Sequence, residues 1–163
     1  MKKIFVIFTF IIIGFSSDFC FAQTAEQNIA ATAKKLAKEP LSKETLLMAE
    51  NSMKWINQNH KFHLSCGISG NFLPISYKFR SNLFAAFIIG TVAFDVENPD
   101  SSKKFPKYEA EDNAKNAGLV NMVKSYEQII KLKPEAKLER LDKLVIAYKK
   151  NSNLLSLFEC III

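Results

Sequence analysis

The chain has 163 residues, of which 48% are hydrophobic and 23% are charged. These fractions exclude disordered, collagen-like and polytopic membrane proteins, and the length favours one ordinary folded domain. The formal net charge of +6 at pH 7 is modest, so it predicts an anionic partner only weakly.

Residues 1–22 have the pattern of a cleaved signal peptide. Lys2 and Lys3 form a positive start, and the following residues 4–15 are almost entirely apolar before polar residues interrupt the run. A spanning helix needs about 20 apolar residues, so this segment is too short to remain as an anchor. Small residues precede the junction between Ala22 and Gln23, where we expect cleavage.

Acylation of Cys20 is an alternative fate for the leader. A lipid-attachment cysteine needs small residues immediately before it, whereas here the charged Asp18 and the bulky Phe19 occupy those positions. We therefore expect a processed bacterial chain, residues 23–163, in the periplasm or outside the cell. This chain of 141 residues would carry a net charge of +5 and is long enough to form one stable core.

The first part of the processed chain predicts two helices. Residues 24–38 contain neither Gly nor Pro and place small apolar side chains at helical spacing. Pro40 ends this helix, and Ser42 offers an N-cap for a second helix that extends to about Asn59. The predicted inner face of the second helix consists of Leu46, Ala49, Met53 and Ile56.

Residues 60–80 break the helical pattern and predict an irregular segment, because Gly67, Gly70 and Pro74 lie close together. Residues 83–94 then form the most hydrophobic part of the processed chain, interrupted only by Gly90 and Thr91. A helix that is apolar on every side is expected to be buried on every side. We therefore predict a central core helix here, in which Gly90 permits a close approach of another backbone.

The last third of the chain predicts a polar loop followed by two helices. Residues 95–113 contain Pro99 and Pro106 among mixed charges, which is typical of a connecting loop. The next helix runs from about residue 109 to residue 133, where Pro134 ends it and opens another. The inner face of the last helix is predicted to consist of Leu138, Leu141, Leu144, Val145 and Tyr148.

Residues 125–134, with Tyr126-Glu127 followed by apolar residues and a closing Pro134, resemble the second helix of a tetratricopeptide repeat. The resemblance implies antiparallel packing of neighbouring helices. Together with the segments above, it predicts an all-α domain of four or five antiparallel helices around residues 83–94. The domain would occupy residues 23–163.

One cluster of candidate ligands stands out, because His60, His63 and Cys66 follow one another at intervals of three residues. Imidazole and thiolate groups are ligands for zinc or copper, so these three residues are a candidate metal site. Cys66 has a second possible role, since it could form a disulfide with Cys160 in an oxidising compartment. The metal site and the disulfide exclude each other at Cys66.

No set of residues in the sequence matches a catalytic template. Ser101 and Lys104 have the spacing of a serine–lysine pair, but they lie in the predicted polar loop, which would not desolvate the lysine. We therefore expect a non-catalytic protein without a cofactor. A metal- or small-ligand-binding protein that uses the histidine–cysteine cluster is the alternative.

The partner of such a protein would be another protein or an anionic component of the cell envelope. Eight basic residues in the last third of the chain favour this interpretation, and most of them fall on the predicted outward faces of the last two helices. They are Lys124, Lys131, Lys133, Lys137, Arg140, Lys143, Lys149 and Lys150. Nucleic acid is not expected as a partner, because the chain is predicted to be exported and its basic face lacks interleaved aromatic residues.

Overall fold

The computed structural model describes residues 17–59, 73–104 and 107–157. Within these residues the chain is helical and contains no β-strand, which confirms the predicted all-α class. The helices are α1 (Ser17–Leu36), α2 (Lys43–Gln58), α3 (Arg80–Glu97), α4 (Ser101–Lys104), α5 (Lys107–Leu132) and α6 (Glu139–Lys149), with a short 3₁₀ helix at Pro134–Ala136. No helix in the described ranges is both long and apolar enough to cross a bilayer.

Helix α2 begins as the sequence predicts. The Ser42 Oγ accepts a hydrogen bond from the Thr45 backbone N–H at 3.1 Å, which satisfies one of the free donors at the helix start. Its inner face differs from the prediction, because Leu46 is 41% exposed and Ser52 is buried. The Ser52 hydroxyl donates to the Thr32 Oγ1 of α1 at 3.1 Å, so the interface between α1 and α2 includes a buried hydrogen bond.

Helix α3 extends beyond the predicted core segment at both ends and packs against α1, α2 and α5. Nine of its residues are buried, although Phe84 is 37% exposed, so the helix is not covered on every side. Phe79 occupies the N-cap position and provides no side-chain hydrogen bond. Burial of the apolar helix, rather than a cap, therefore stabilises this element.

The contact between α3 and α5 depends on two glycines, one on each helix. A Cβ placed on Gly90 would lie 2.7 Å from the Cβ of Asn121, so α5 approaches Gly90 closely, with a side chain instead of the predicted backbone at the contact. A Cβ placed on Gly118 would collide with the Thr91 side chain and the Phe87 carbonyl oxygen. The Asn121 Nδ2 also donates to the Ala86 carbonyl oxygen at 2.8 Å, so the close approach brings a buried hydrogen bond with it.

The predicted polar loop at residues 95–113 is wrong over most of its length. Helix α3 continues to Glu97, Ser101–Lys104 forms α4, and α5 already begins at Lys107. Acidic side chains near the start of α5, such as Glu109, interact favourably with the N-terminal end of the helix dipole. The polar residues of this segment therefore belong mostly to helices with a hydrated outer face, and not to a loop.

The end of α5 also differs in detail from the prediction. Pro134 follows the end of α5, but it opens a 3₁₀ helix instead of the next α-helix, and α6 begins only at Glu139. Farther back in α5, the buried Ser125 Oγ lies 2.8 Å from the Leu36 carbonyl oxygen at the end of α1. It also lies 2.9 Å from the Asn121 carbonyl oxygen, so one hydroxyl proton is shared between two acceptors.

Candidate functional site

The residues of the predicted metal site and disulfide, His60, His63, Cys66 and Cys160, lie outside the described residues. The predicted cleavage junction between Ala22 and Gln23 falls within α1, where the backbone is helical. In the described ranges, no group of three or more His, Cys, Asp or Glu side chains is arranged to hold a metal ion.

Ser101 and Lys104, predicted to lie in a loop, instead form the two ends of α4. Lys104 is exposed, whereas a serine–lysine pair needs a desolvated lysine.

The positive charge of the protein is concentrated in residues 131–150, which we call the basic segment. It contains seven basic and three acidic residues, a net charge of +4 out of the +6 of the whole chain. The other described residues contain twelve basic and twelve acidic side chains and are therefore neutral in sum. Any attraction to an anionic partner would be strongest at the basic segment.

Within the basic segment, α6 presents one face to the core and another to solvent. Leu141, Leu144 and Val145 are buried against the rest of the protein. On the opposite side, Glu139, Lys143 and Ile146 of α6 and its C-cap residue Lys150 follow one another at helical spacing and are all exposed. We call these four residues the α6 ridge; its one apolar member, Ile146, is 54% exposed.

Two lysines of this region form ion pairs at the protein surface. The Lys143 Nζ lies 2.9 Å from the Glu139 Oε1, and the Lys149 Nζ lies 2.9 Å from the Glu127 Oε1. The bond with Lys143 lowers the pKa of the Glu139 carboxyl. An exposed pair such as Lys143–Glu139 contributes little to stability and is screened by salt, whereas the Glu127 side chain is only 20% exposed.

A partly buried polar network joins the basic segment to the core. The Tyr126 hydroxyl donates to the Asp142 Oδ1 and accepts from the Leu138 backbone N–H, both at 2.8 Å. The Tyr77 hydroxyl donates to the Ala136 carbonyl oxygen, also at 2.8 Å. Asp142 therefore turns its charge toward the core, which leaves the outer face of α6 with fewer acidic groups. Nothing in the sequence pattern indicates this network.

The two tyrosines of the network predict a loss of stability at high pH. Burial, followed by the nearby Asp142 charge, raises the pKa of Tyr77 from 10.0 to about 12. Burial and Asp142 also raise the pKa of Tyr126. Between the unfolded and folded pKa values the folded state holds more protons, so the free energy of unfolding should fall as the pH rises from 10 towards 12.

Urea unfolding followed by circular dichroism over this pH interval measures the effect. A Tyr77→Phe variant has no proton to lose at this position, so its stability should fall less steeply than that of the wild type. If the stability of the two proteins fell equally steeply with pH, the raised pKa of Tyr77 would be contradicted.

Two cavities lie at helix contacts away from the α6 ridge. The larger, of about 320 Å³, opens between α1 and α2 and is lined only by uncharged residues. The smaller, of about 190 Å³, lies between α1, α3 and α5, and its lining includes the Lys34–Glu97 ion pair. Neither cavity is lined by a histidine, a cysteine or a paired nucleophile and base of the kind that covalent catalysis needs.

No protein-family model, curated protein or solved structure matches the chain.

Proposed function

We propose that this protein is exported, acts without catalysis and binds an anionic partner in the bacterial cell envelope. The observation that carries the proposal is the concentration of positive charge in the basic segment, beside a remainder of the described chain that is neutral in sum. A surface with a local excess of cations attracts anions over a distance of about 10 Å at ordinary ionic strength. The signal-peptide pattern of residues 1–22 supports the proposed location of that surface outside the cytoplasm.

The proposal includes antiparallel packing of neighbouring helices, which would hold the basic segment on a rigid support. Contacts between α3 with its preceding turn and α5 with its following turn support this arrangement. Tyr77 contacts Ala136, Ala86 contacts Asn121, and Thr91 lies against Gly118. Along α3 and its preceding turn the residue numbers rise from Tyr77 to Thr91, while the residues they contact fall from Ala136 to Gly118. Opposite directions of this kind are the pattern of antiparallel neighbours.

Retention in the envelope fraction of the host tests the function. The variant Lys133→Glu, Lys137→Glu, Lys150→Glu reverses three exposed charges in the basic segment. The matched control Lys38→Glu, Lys43→Glu, Lys54→Glu changes the net charge by the same amount at exposed sites outside the segment. We expect the first variant to be released from the envelope at low salt and the control to be retained like the wild type.

Equal retention of the two variants would contradict a role for the basic segment. The intact mass of the retained protein tests export in the same sample, because processing at the predicted site gives a chain that starts at Gln23. A mass that includes residues 1–22 would contradict the proposed processing.

A further inference from the structure

We propose that the α6 ridge docks on the surface of an anionic phospholipid bilayer, with Ile146 inserted among the lipid head groups. This inference rests on the proposed function and names the partner as a lipid surface. Lys143 and Lys150 would contact the lipid phosphates on either side of Ile146. The ridge is part of the described chain, and its members are all exposed.

The spacing of the ridge fits a helix that lies in the plane of a membrane surface. Lys143 stands three residues before Ile146 and Lys150 four residues after it, so one apolar side chain lies between two cations on the same face. Interfacial helices combine basic side chains, which contact anionic head groups, with apolar side chains that reach the acyl boundary. Lysine also has a long apolar stem, so its ammonium group can stay at the phosphates while the ridge settles deeper.

Charge on the ridge is matched to an anionic surface. Arg140 and Lys149 flank the ridge, while Asp142 is held inward by its bond with the Tyr126 hydroxyl. Glu139 is the one acidic member of the ridge, and it is already paired with Lys143. Each basic residue near an anionic membrane strengthens binding about fivefold, so a few such residues are enough for reversible attachment.

The shape of the ridge favours a bilayer over an acidic protein. Protein interfaces bury their anchor residues in pockets of the partner, and they are enriched in aromatic side chains and arginine. Ile146 instead projects from a convex helix, 54% exposed, among lysines. A fluid lipid surface adapts to a convex ridge and needs no preformed pocket, so it is the occupant that fits these side chains best.

Flotation with lipid vesicles tests the inference on the protein recovered from the host's envelope fraction. Vesicles of phosphatidylcholine alone are compared with vesicles that also contain phosphatidylglycerol. Lys143→Glu is matched by Lys54→Glu, since each lysine is exposed and paired with a glutamate four residues earlier. Ile146→Ser is matched by Leu47→Ser on α2, since the two side chains are 54% and 59% exposed.

We expect binding that requires phosphatidylglycerol, falls about tenfold or more in Lys143→Glu and falls about fivefold in Ile146→Ser. The two control variants should bind within about twofold of the wild type, because their substitutions lie outside the docking surface. Circular dichroism spectra identical to that of the wild type would show that each variant is folded.

Equal binding to the two kinds of vesicle, equal losses in a variant and its control, or no binding at all would overturn the inference. The envelope-retention experiment separates this failure from a failure of the proposed function. Loss of retention in the basic-segment variant without any vesicle binding would identify an acidic protein or polymer as the partner. Unchanged retention would reject the anionic partner altogether.

Discussion

Replacement of Gly118 by alanine is expected to lower the free energy of unfolding by about 2 kcal/mol or more, as overpacking of a core does. The result would oppose helix propensity, which favours alanine over glycine by about 1 kcal/mol inside a helix. The added Cβ would lie 2.7 Å from the Phe87 carbonyl oxygen and would also collide with the Thr91 hydroxyl.

The neighbours of Gly118 have little freedom to move away. The Phe87 carbonyl belongs to the backbone of α3, whose residues around this point are buried. The Thr91 Oγ1 is also fixed, because its hydroxyl donates to the same Phe87 carbonyl at 3.0 Å. Relief of the collision would therefore require α3 and α5 to separate along a contact that buries much of the core.

Urea unfolding of the wild type and the Gly118→Ala variant measures the effect. The variants Lys124→Gly and Lys124→Ala provide the control, because Lys124 is an exposed position on the same helix. There the alanine variant should be the more stable of the two by about 1 kcal/mol, since only helix propensity differs between them. An increase in stability in Gly118→Ala would show that the helices do not approach each other as closely as described.

The fold is predictable from the sequence where one hydrophobic pattern dominates. The apolar run around residues 83–94 could belong only to a buried element, and α3 contains it. Ser42 and Pro40 likewise marked the boundary between α1 and α2. The helices within residues 95–113 are not predictable in this way, because their formation depends on tertiary packing beneath a hydrated outer face. Composition does not distinguish such a helix from a loop.

The candidate site was predictable in its charge and unpredictable in its geometry. The lysines of residues 131–150 can be counted from the sequence, and helical spacing places Ile146 away from the inner face of α6. The inward orientation of Asp142 cannot be found in this way, because it depends on Tyr126, sixteen residues earlier on another helix. A sequence pattern predicts the individual helices, but the hydrogen bonds between helices depend on how the helices pack.

Replacement of Tyr126 by phenylalanine is expected to lower the free energy of unfolding by about 2 kcal/mol. The Tyr126 side chain is fully buried, and its hydroxyl contacts both the Asp142 carboxylate and the Leu138 backbone N–H. Phenylalanine keeps the ring but leaves these two groups without that partner in a partly buried environment. Loss of a hydrogen bond to a charged group costs more than loss of a neutral one, so the effect should exceed that of an ordinary buried hydroxyl.

Two further variants separate the hydrogen bond from the packing of the ring. Tyr148→Phe removes a hydroxyl from a half-buried ring and should change stability by less than about 0.5 kcal/mol, since Tyr148 is more exposed than Tyr126. In an Asp142→Asn background, Tyr126→Phe should cost less than in the wild type, because the charge that the hydroxyl stabilises is already absent. Identical costs in the two backgrounds would show that Asp142 and Tyr126 are not coupled. The bond with Tyr126 would then not explain why the Asp142 carboxylate points inward, away from the α6 ridge.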